Sequence, residues 1–229
     1  MDFSLFIPHM VEIWKEYWTV FLFQGLKNTL LLTCISVALG TLLGTLVAMA
    51  KMSKFAPLRG LITVYIEVLR GTPILLQLYV FYFILPQVLP FLKLSQFMWV
   101  SIALCVNSSA YVSEVIRSGI QAVDKGQTEA ARSLGLSESQ TMTKIILPQA
   151  IRNILPAIAN EFVVIIKESA VTYTIGVQDI MAVVQSVKGA TYLIMEPLLV
   201  ATALYFCLCF PTSKLIAHFE RSMSRGNKR

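Results

Sequence analysis

Six polar side chains interrupt strongly apolar stretches of this 229-residue chain: Glu67, Arg70, Asn107, Glu114, Asn160 and Glu161. A lone charge at the middle of a bilayer costs about 2.5–3.5 kcal/mol on insertion scales, so such groups pair with one another or line a cavity where they meet water or a charged solute. The chemistry open to them is recognition rather than bond making. Only two histidines exist, His9 and His218, and no Ser/His/Asp set, Walker A glycine loop or cluster at metal-ligand spacing accompanies them. Cys34, Cys105, Cys207 and Cys209 all lie within apolar segments. The Cys-x-Cys pair has no further Cys or His beside it, which reads as buried reduced thiols rather than a metal site.

The spacing of these groups suggests partners. Glu67 and Arg70 are three residues apart on adjacent helical positions and can pair, while Arg117 stands three residues after Glu114 and is expected to mark the cytoplasmic end of its span. Ala157, Asn160, Glu161 and Glu168 recur at three-, four- and seven-residue intervals and share one helix face. Glu161 has no base within a turn: Arg152 lies more than two turns away, and Lys167 falls on the opposite face. Such a carboxylate must be protonated, be paired across helices with Arg70 as the candidate, or meet the ammonium or cationic side chain of a solute. Both the pairing and the solute reading stay open.

The elements that must position these residues are membrane helices. The chain is 56% hydrophobic and 14% charged, against about 25% charged in soluble domains, and its mean hydropathy is +0.69. Several apolar runs approach the ~20 residues that cross a bilayer as helix. Residues 1–20 place Ile7, Met10, Val11, Trp14 and Trp18 opposite Glu12, Lys15 and Glu16, an amphipathic helix expected to lie in the interface. Asp2 and Glu12 stand where a leader would be basic, so no cleavable signal is expected. Five spans are expected in residues 21–219, at about 28–50, 61–85, 97–116, 154–166 and 197–213. Gly40 and Gly44 in the first form G-x-x-x-G, a surface another helix can approach. Pro73 should kink the second, and a short re-entrant or interfacial helix is expected near 177–187. A basic tail at 220–229 follows and suits anionic headgroups.

The longest polar interval, residues 124–148, is ordered rather than slack. Asp124 and Gln127 stand at capping-box spacing, as do Ser137 and Gln140, and Gly135 suits a left-handed turn between two helices. Pro148 should end the second helix near Leu147. Ala130 and Ala131 would offer a bare surface to a docking partner. A DNA-binding helix-turn-helix is the rival, but it needs apolar residues about six and nine positions past the glycine, and Thr141 and Lys144 stand there.

Glu129-Ala130-Ala131, Gly135-Leu136, Ile145 and Leu147-Pro148 match the EAA loop of ABC importer permeases at every spaced position. Gln24-Gly25 with Thr29-Leu30, then Arg70-Gly71-Thr72-Pro73, then Tyr111, Glu114 and Arg117 precede it in the order found in the polar amino acid subfamily, so the chain resembles that family over nearly its whole length. Where members read Ser-Leu after the Lys-acid-Ser/Thr element, this chain has Ala170-Val171. The resemblance implies an all-α type I ABC importer permease fold whose EAA residues dock on a separate ATPase. It also implies a translocation path near Glu67, Arg70, Asn107, Glu114, Asn160 and Glu161. Two ATPase subunits would bind ATP and Mg, none of it on this chain. A second permease subunit, of the same or a sister kind, an extracytoplasmic amino acid-binding protein and the lipid bilayer would complete the assembly, with no nucleic acid. A secondary transporter or channel is the alternative, although it usually shows internal repeats, which are absent here. A membrane-tethered regulator would need the helix-turn-helix. Thirteen of the 19 Lys and Arg cluster at 51–59, 117–152 and 214–229, which puts the C-terminus in the cytoplasm and the N-terminus outside.

Overall fold

The first long helix has nothing to stop it. Residues 6–225 are described by the computed structural model, and among them every regular element is helical. Phe6–Val20 (α1) passes through a wide π turn at Phe21–Leu26 into Lys27–Lys51 (α2), giving one unbroken 46-residue helix. The separate interfacial helix expected at 1–20 is therefore the head of a longer one, since no proline or polar turn lies between Val20 and Lys27. Its packed stripe is Met10, Ile13, Tyr17 and Val20, while Ile7, Val11, Trp14 and Trp18 stay exposed.

The second expected span is broken rather than kinked. Ala56–Gly71 (α3) and the segment made of Ile74–Tyr79 (α4), a π turn at Val80–Ile84 and Leu85–Val88 (α5) meet at 109°. Pro73 bars Thr72 from helical backbone, and both residues are extended. Gln77 takes up the polar groups this break frees. Its Nε2 donates to Leu69 O at 2.8 Å, Thr72 O at 3.1 Å and Thr72 Oγ1 at 2.9 Å. Its Oε1 accepts from Asn107 Nδ2 at 2.9 Å, tying the break to the next helix.

That helix, Gln96–Gln121 (α6), starts at the Ser95 cap and packs along α2. The glycine pair is the contact: a Cβ at Gly40 would lie 2.9 Å from Ser108 Cβ, and one at Gly44 would lie 2.8 Å from Val112 Cβ. Gly44→Ala should therefore lower the thermal midpoint of the detergent-purified protein, the consequence of roughly 1–3 kcal/mol of overpacking. An unchanged melting curve would mean that α2 and α6 do not touch there.

Lys125–Ser133 (α7) and Glu138–Thr141 (α8) form the polar interval, and a π turn at Met142–Ile146 leads straight into Leu147–Glu168 (α9). Pro148 does not end the helix as expected; it sits in the first turn of α9, where its missing N–H costs nothing. The same device, a π turn followed by Leu-Pro, occurs at 80–86. A short 3₁₀ segment at Ser169–Ile175 and the left-handed Gly176 turn the chain back into Ile180–Thr191 (α10). α10 packs Ile180, Val183, Val184 and Val187 against Ile13, Phe21, Val200 and Ala201. Met195–Arg225 (α11) completes the bundle. Of the basic tail, Lys228 and Arg229 lie outside the described residues.

Among the described residues, Phe6–Lys51, Gln96–Gln121 and Met195–Met223 are long and apolar enough to cross a membrane, and the broken α3–α5 pair is a fourth by the same measure. α9 has 22 residues and carries Arg152, Glu161, Lys167 and Glu168. It has the length for a span without the apolar composition of the others.

Candidate functional site

The loop at 124–148 stands on local hydrogen bonds. Asp124 caps α7, its Oδ1 accepting from Gly126 N at 2.6 Å. The expected partner was Gln127 side chain and backbone together, and that reciprocal box forms only at the second helix, where Ser137 Oγ accepts from Gln140 N and Gln140 Oε1 accepts from Ser137 N. Between them Gly135 has φ +85°, with Leu136 N donating to Ala131 O at 3.1 Å and Gly135 N to Arg132 O at 3.0 Å. This is the double bond pattern that closes a helix on a left-handed residue. Arg132 Nη1 adds a bond to Leu136 O at 2.6 Å. The loop is thus a locally bonded unit in which the buried Thr141 Oγ1 alone among its buried side-chain polar atoms lacks a hydrogen-bond partner.

Its exposed face differs from the one read from sequence. Glu129 and Ala130 are exposed, but Ala131 is only 6% exposed and turns inward, so the bare surface is one alanine wide. Leu136, Ile145 and Leu147 are half-buried, Pro148 is exposed, and Ile146 and Thr141 are buried. The residue missed by the sequence reading is Leu134, 81% exposed at the tip beside Gly135. An apolar residue in an otherwise polar turn is the signal that could have found it. An exposed ion pair of 3.0 Å between Lys54 and Glu138 joins this loop to the segment between α2 and α3.

The polar residues of the spans fall into three groups, with Glu161 standing apart from them, instead of one path. Asn160 lines a cleft of about 910 Å³ between α9 and α11, together with Arg152, Asn153 and Ala157 on one wall and Ser213 and Glu220 on the other; Asp124 and Gln127 line it as well. Glu161 does not line it. Its side chain is 9% exposed and turns toward Ser108 of α6, and neither Glu161 Oε1 nor Ser108 Oγ has a hydrogen-bond partner.

The second group lies around Lys51. Glu114 binds Lys51 at 3.2 Å and Arg117 at 2.6 Å. Glu67 and Arg70 share a recess with Lys51, Tyr111 and Glu114 but form no ion pair with each other. Arg70 instead lies over the Tyr111 ring, 5.4 Å from its centroid. The expected Glu67–Arg70 couple is replaced by this stacking, on a side of α3 where both charges are exposed and the Tyr111 ring competes for the guanidinium. The Arg70–Glu161 pair is absent as well. Asn107 makes up the third group with Gln77, where it holds the broken helix.

A family model described as binding-protein-dependent transport system inner membrane component matches residues 40–225. The arginine transport system permease protein ArtQ of Bacillus subtilis is 42% identical over 227 residues, 99% of each chain. A putative glutamine transport system permease protein GlnP of Rickettsia typhi is 41% identical over 204 residues, 89% of this chain and 93% of that one. Among solved structures, an amino acid ABC transporter crystallised with histidines superposes with a TM-score of 0.87 at 42% identity, covering 95% of this chain and 98% of its own. The inward-facing MetNI methionine ABC transporter shares the fold at a TM-score of 0.71 and 17% identity.

Proposed function

The chain belongs to the family of binding-protein-dependent transport system inner membrane components, and from that membership we infer that it is the membrane-spanning permease subunit of an ATP-driven importer for polar amino acids. The observation that carries the reading is the loop at 124–148: an ordered, exposed helix–glycine–helix unit that bears the EAA pattern and whose Asp124 and Gln127 line the cleft between α9 and α11. A rigid piece with an exposed apolar tip, Leu134, suits a docking role.

In this reading two ATPase subunits bind ATP and Mg and grip Glu129, Ala130, Leu134 and Gly135. Their closure moves α7 and α8, and because α8 is continuous with α9 through the π turn, the cleft wall bearing Asn160 moves with the loop. A second permease subunit completes the path, and an extracytoplasmic binding protein delivers the amino acid. The chain contributes no ATP site of its own. Glu161, one residue from the cleft-lining Asn160 and without an ion-pair partner among the described residues, is the group proposed to meet the cationic part of the solute when α9 shifts against α6.

Two experiments bear on it. With Leu134→Cys, a cysteine placed in the ATPase cleft should cross-link to the loop, and the link should depend on nucleotide; absence of any cross-link with a co-purifying ATPase would remove the docking role. For orientation, a cysteine placed in the 52–55 turn should be inaccessible to membrane-impermeant reagent in intact cells, whereas one in the 89–95 turn should react. The reverse labelling pattern would invert the proposed topology.

A further inference from the structure

α10 has two faces of different chemistry. Its inner face is the apolar set Ile180, Val183, Val184 and Val187. Its outer face is Gln185, Lys188 and Gly189, continued one turn later by Tyr192, all exposed. The lipid-accessible faces of this protein look different: α2 exposes Leu39, Leu42, Leu46 and Met49. A helix face of glutamine, lysine and glycine does not suit hydrocarbon, where unpaired polar groups are costly.

Tyr192 is the unusual member. It caps α10 in the left-handed region at φ 58°, the one residue other than glycine with positive φ among those described. A bulky side chain there strains the backbone, and glycine would close the helix without that strain. The ring gains nothing in return from this chain, because it is 88% exposed. Strain kept at a projecting aromatic points to a use outside the fold, and Tyr is among the residues that anchor protein interfaces. Beside it Gly189 has open space where a Cβ would stand, which permits close approach of a partner's backbone. Lys188 forms no ion pair among the described residues, and no carboxylate stands on the stripe, so the face is complementary to an acidic surface.

We propose that the Gln185–Lys188–Tyr192 face of α10 is a docking surface for an acidic patch on the extracytoplasmic amino acid-binding protein. This rests on the importer reading and on α10 lying at the outer side. The binding protein's carboxylates meet Lys188, its backbone passes over Gly189, and the Tyr192 ring is buried against it.

Tyr192→Gly tests this without endangering the fold, since it relieves the strained backbone while deleting the anchor. The assembled complex in nanodiscs is titrated with the purified binding protein that stimulates ATP hydrolysis by the wild type. Tyr192→Gly should raise the half-saturating concentration by roughly tenfold or more, with basal hydrolysis and membrane abundance unchanged. Lys188→Glu should do the same and lessen the salt dependence of the wild-type titration. Superimposable titrations for wild type and both variants would overturn the assignment. So would a loss of the second permease copy from purified Tyr192→Gly complexes, which would make the stripe a subunit interface, or a change in abundance alone, which would make the ring a headgroup anchor. If the wild-type complex responds to no binding protein, the importer reading itself falls, a result distinguishable because the wild type fails together with the variants.

Discussion

Gly135→Asp should leave the protein inserted and paired while uptake falls by roughly thirtyfold or more, the factor that accompanies about 2 kcal/mol lost at an interface anchor. Two effects combine. Gly135 occupies φ +85°, a conformation that glycine adopts freely and other residues adopt at roughly 1–2 kcal/mol. A Cβ there meets nothing within 4 Å, so the fold around it has no clash to resolve, and damage is confined to the turn. The added carboxylate then stands beside Leu134, the exposed apolar tip, and must be desolvated wherever that tip is buried in a partner. Gly135→Ala separates the two terms, since it strains the turn without adding charge, and should fall between wild type and Gly135→Asp. Measured uptake at normal protein abundance reads the effect directly. Full uptake with Gly135→Asp, the ATPase still bound, would show that coupling runs elsewhere.

Glu161→Gln should abolish most uptake at low substrate concentration without lowering membrane abundance. The competing idea, an ion pair with Arg70 across the bundle, requires the two charges to meet, and Arg70 is engaged over the ring of Tyr111. Removing the Glu161 charge therefore leaves no buried cation unpaired. The amide is nearly the same size as the carboxyl it replaces, so packing against Ser108 is kept. Arg70→Gln should accordingly give no rescue when combined with Glu161→Gln. Transport measured across a concentration series separates a solute contact, which chiefly raises the half-saturating concentration, from a packing defect, which lowers abundance. Normal uptake with Glu161→Gln below saturation would exclude the carboxylate from the path.

What could be read from the chain was mostly local. Caps, a turn glycine and uninterrupted apolar runs depend on neighbours within a few residues, so α2, α6, the α7 start and the Ser137–Gln140 box were legible. Gly40 and Gly44 marked a close helix contact, but its partner, Ser108 and Val112 on α6, could not be read. Local rules misled where wide turns intervene. Proline at 148 is a stop signal in an α-helix because its ring meets the carbonyl four residues back, and the π turn at Met142–Ile146 moves that carbonyl away. The merger of α1 with α2 has the same root, another π turn at Phe21–Leu26 that lets Gly25 approach Ile180. At Pro73 the direction was right and the size wrong. How far the chain turns depends on Gln77 bonding Leu69, Thr72 and Asn107, partners eight, five and thirty residues away.

The candidate site was legible in its parts and not in its grouping. Asn160 and Glu161 are adjacent in sequence, yet helical geometry turns one to the cleft and the other toward α6. Glu67 and Arg70 stand at pairing distance along a helix, but pairing of exposed side chains is weak, and a neighbouring aromatic ring competes for the guanidinium. Spacing lists who can meet; packing decides who does.

The most direct test of the central claim is uptake into proteoliposomes containing this chain, its permease partner if distinct, and the ATPase, with binding protein and labelled arginine or glutamine outside and ATP within. Accumulation above the external concentration that requires ATP hydrolysis, and disappears with Gly135→Asp while the ATPase remains bound, is the predicted result. Accumulation by this chain alone under an ion gradient, without ATPase or ATP, would contradict the account and make the protein a secondary transporter.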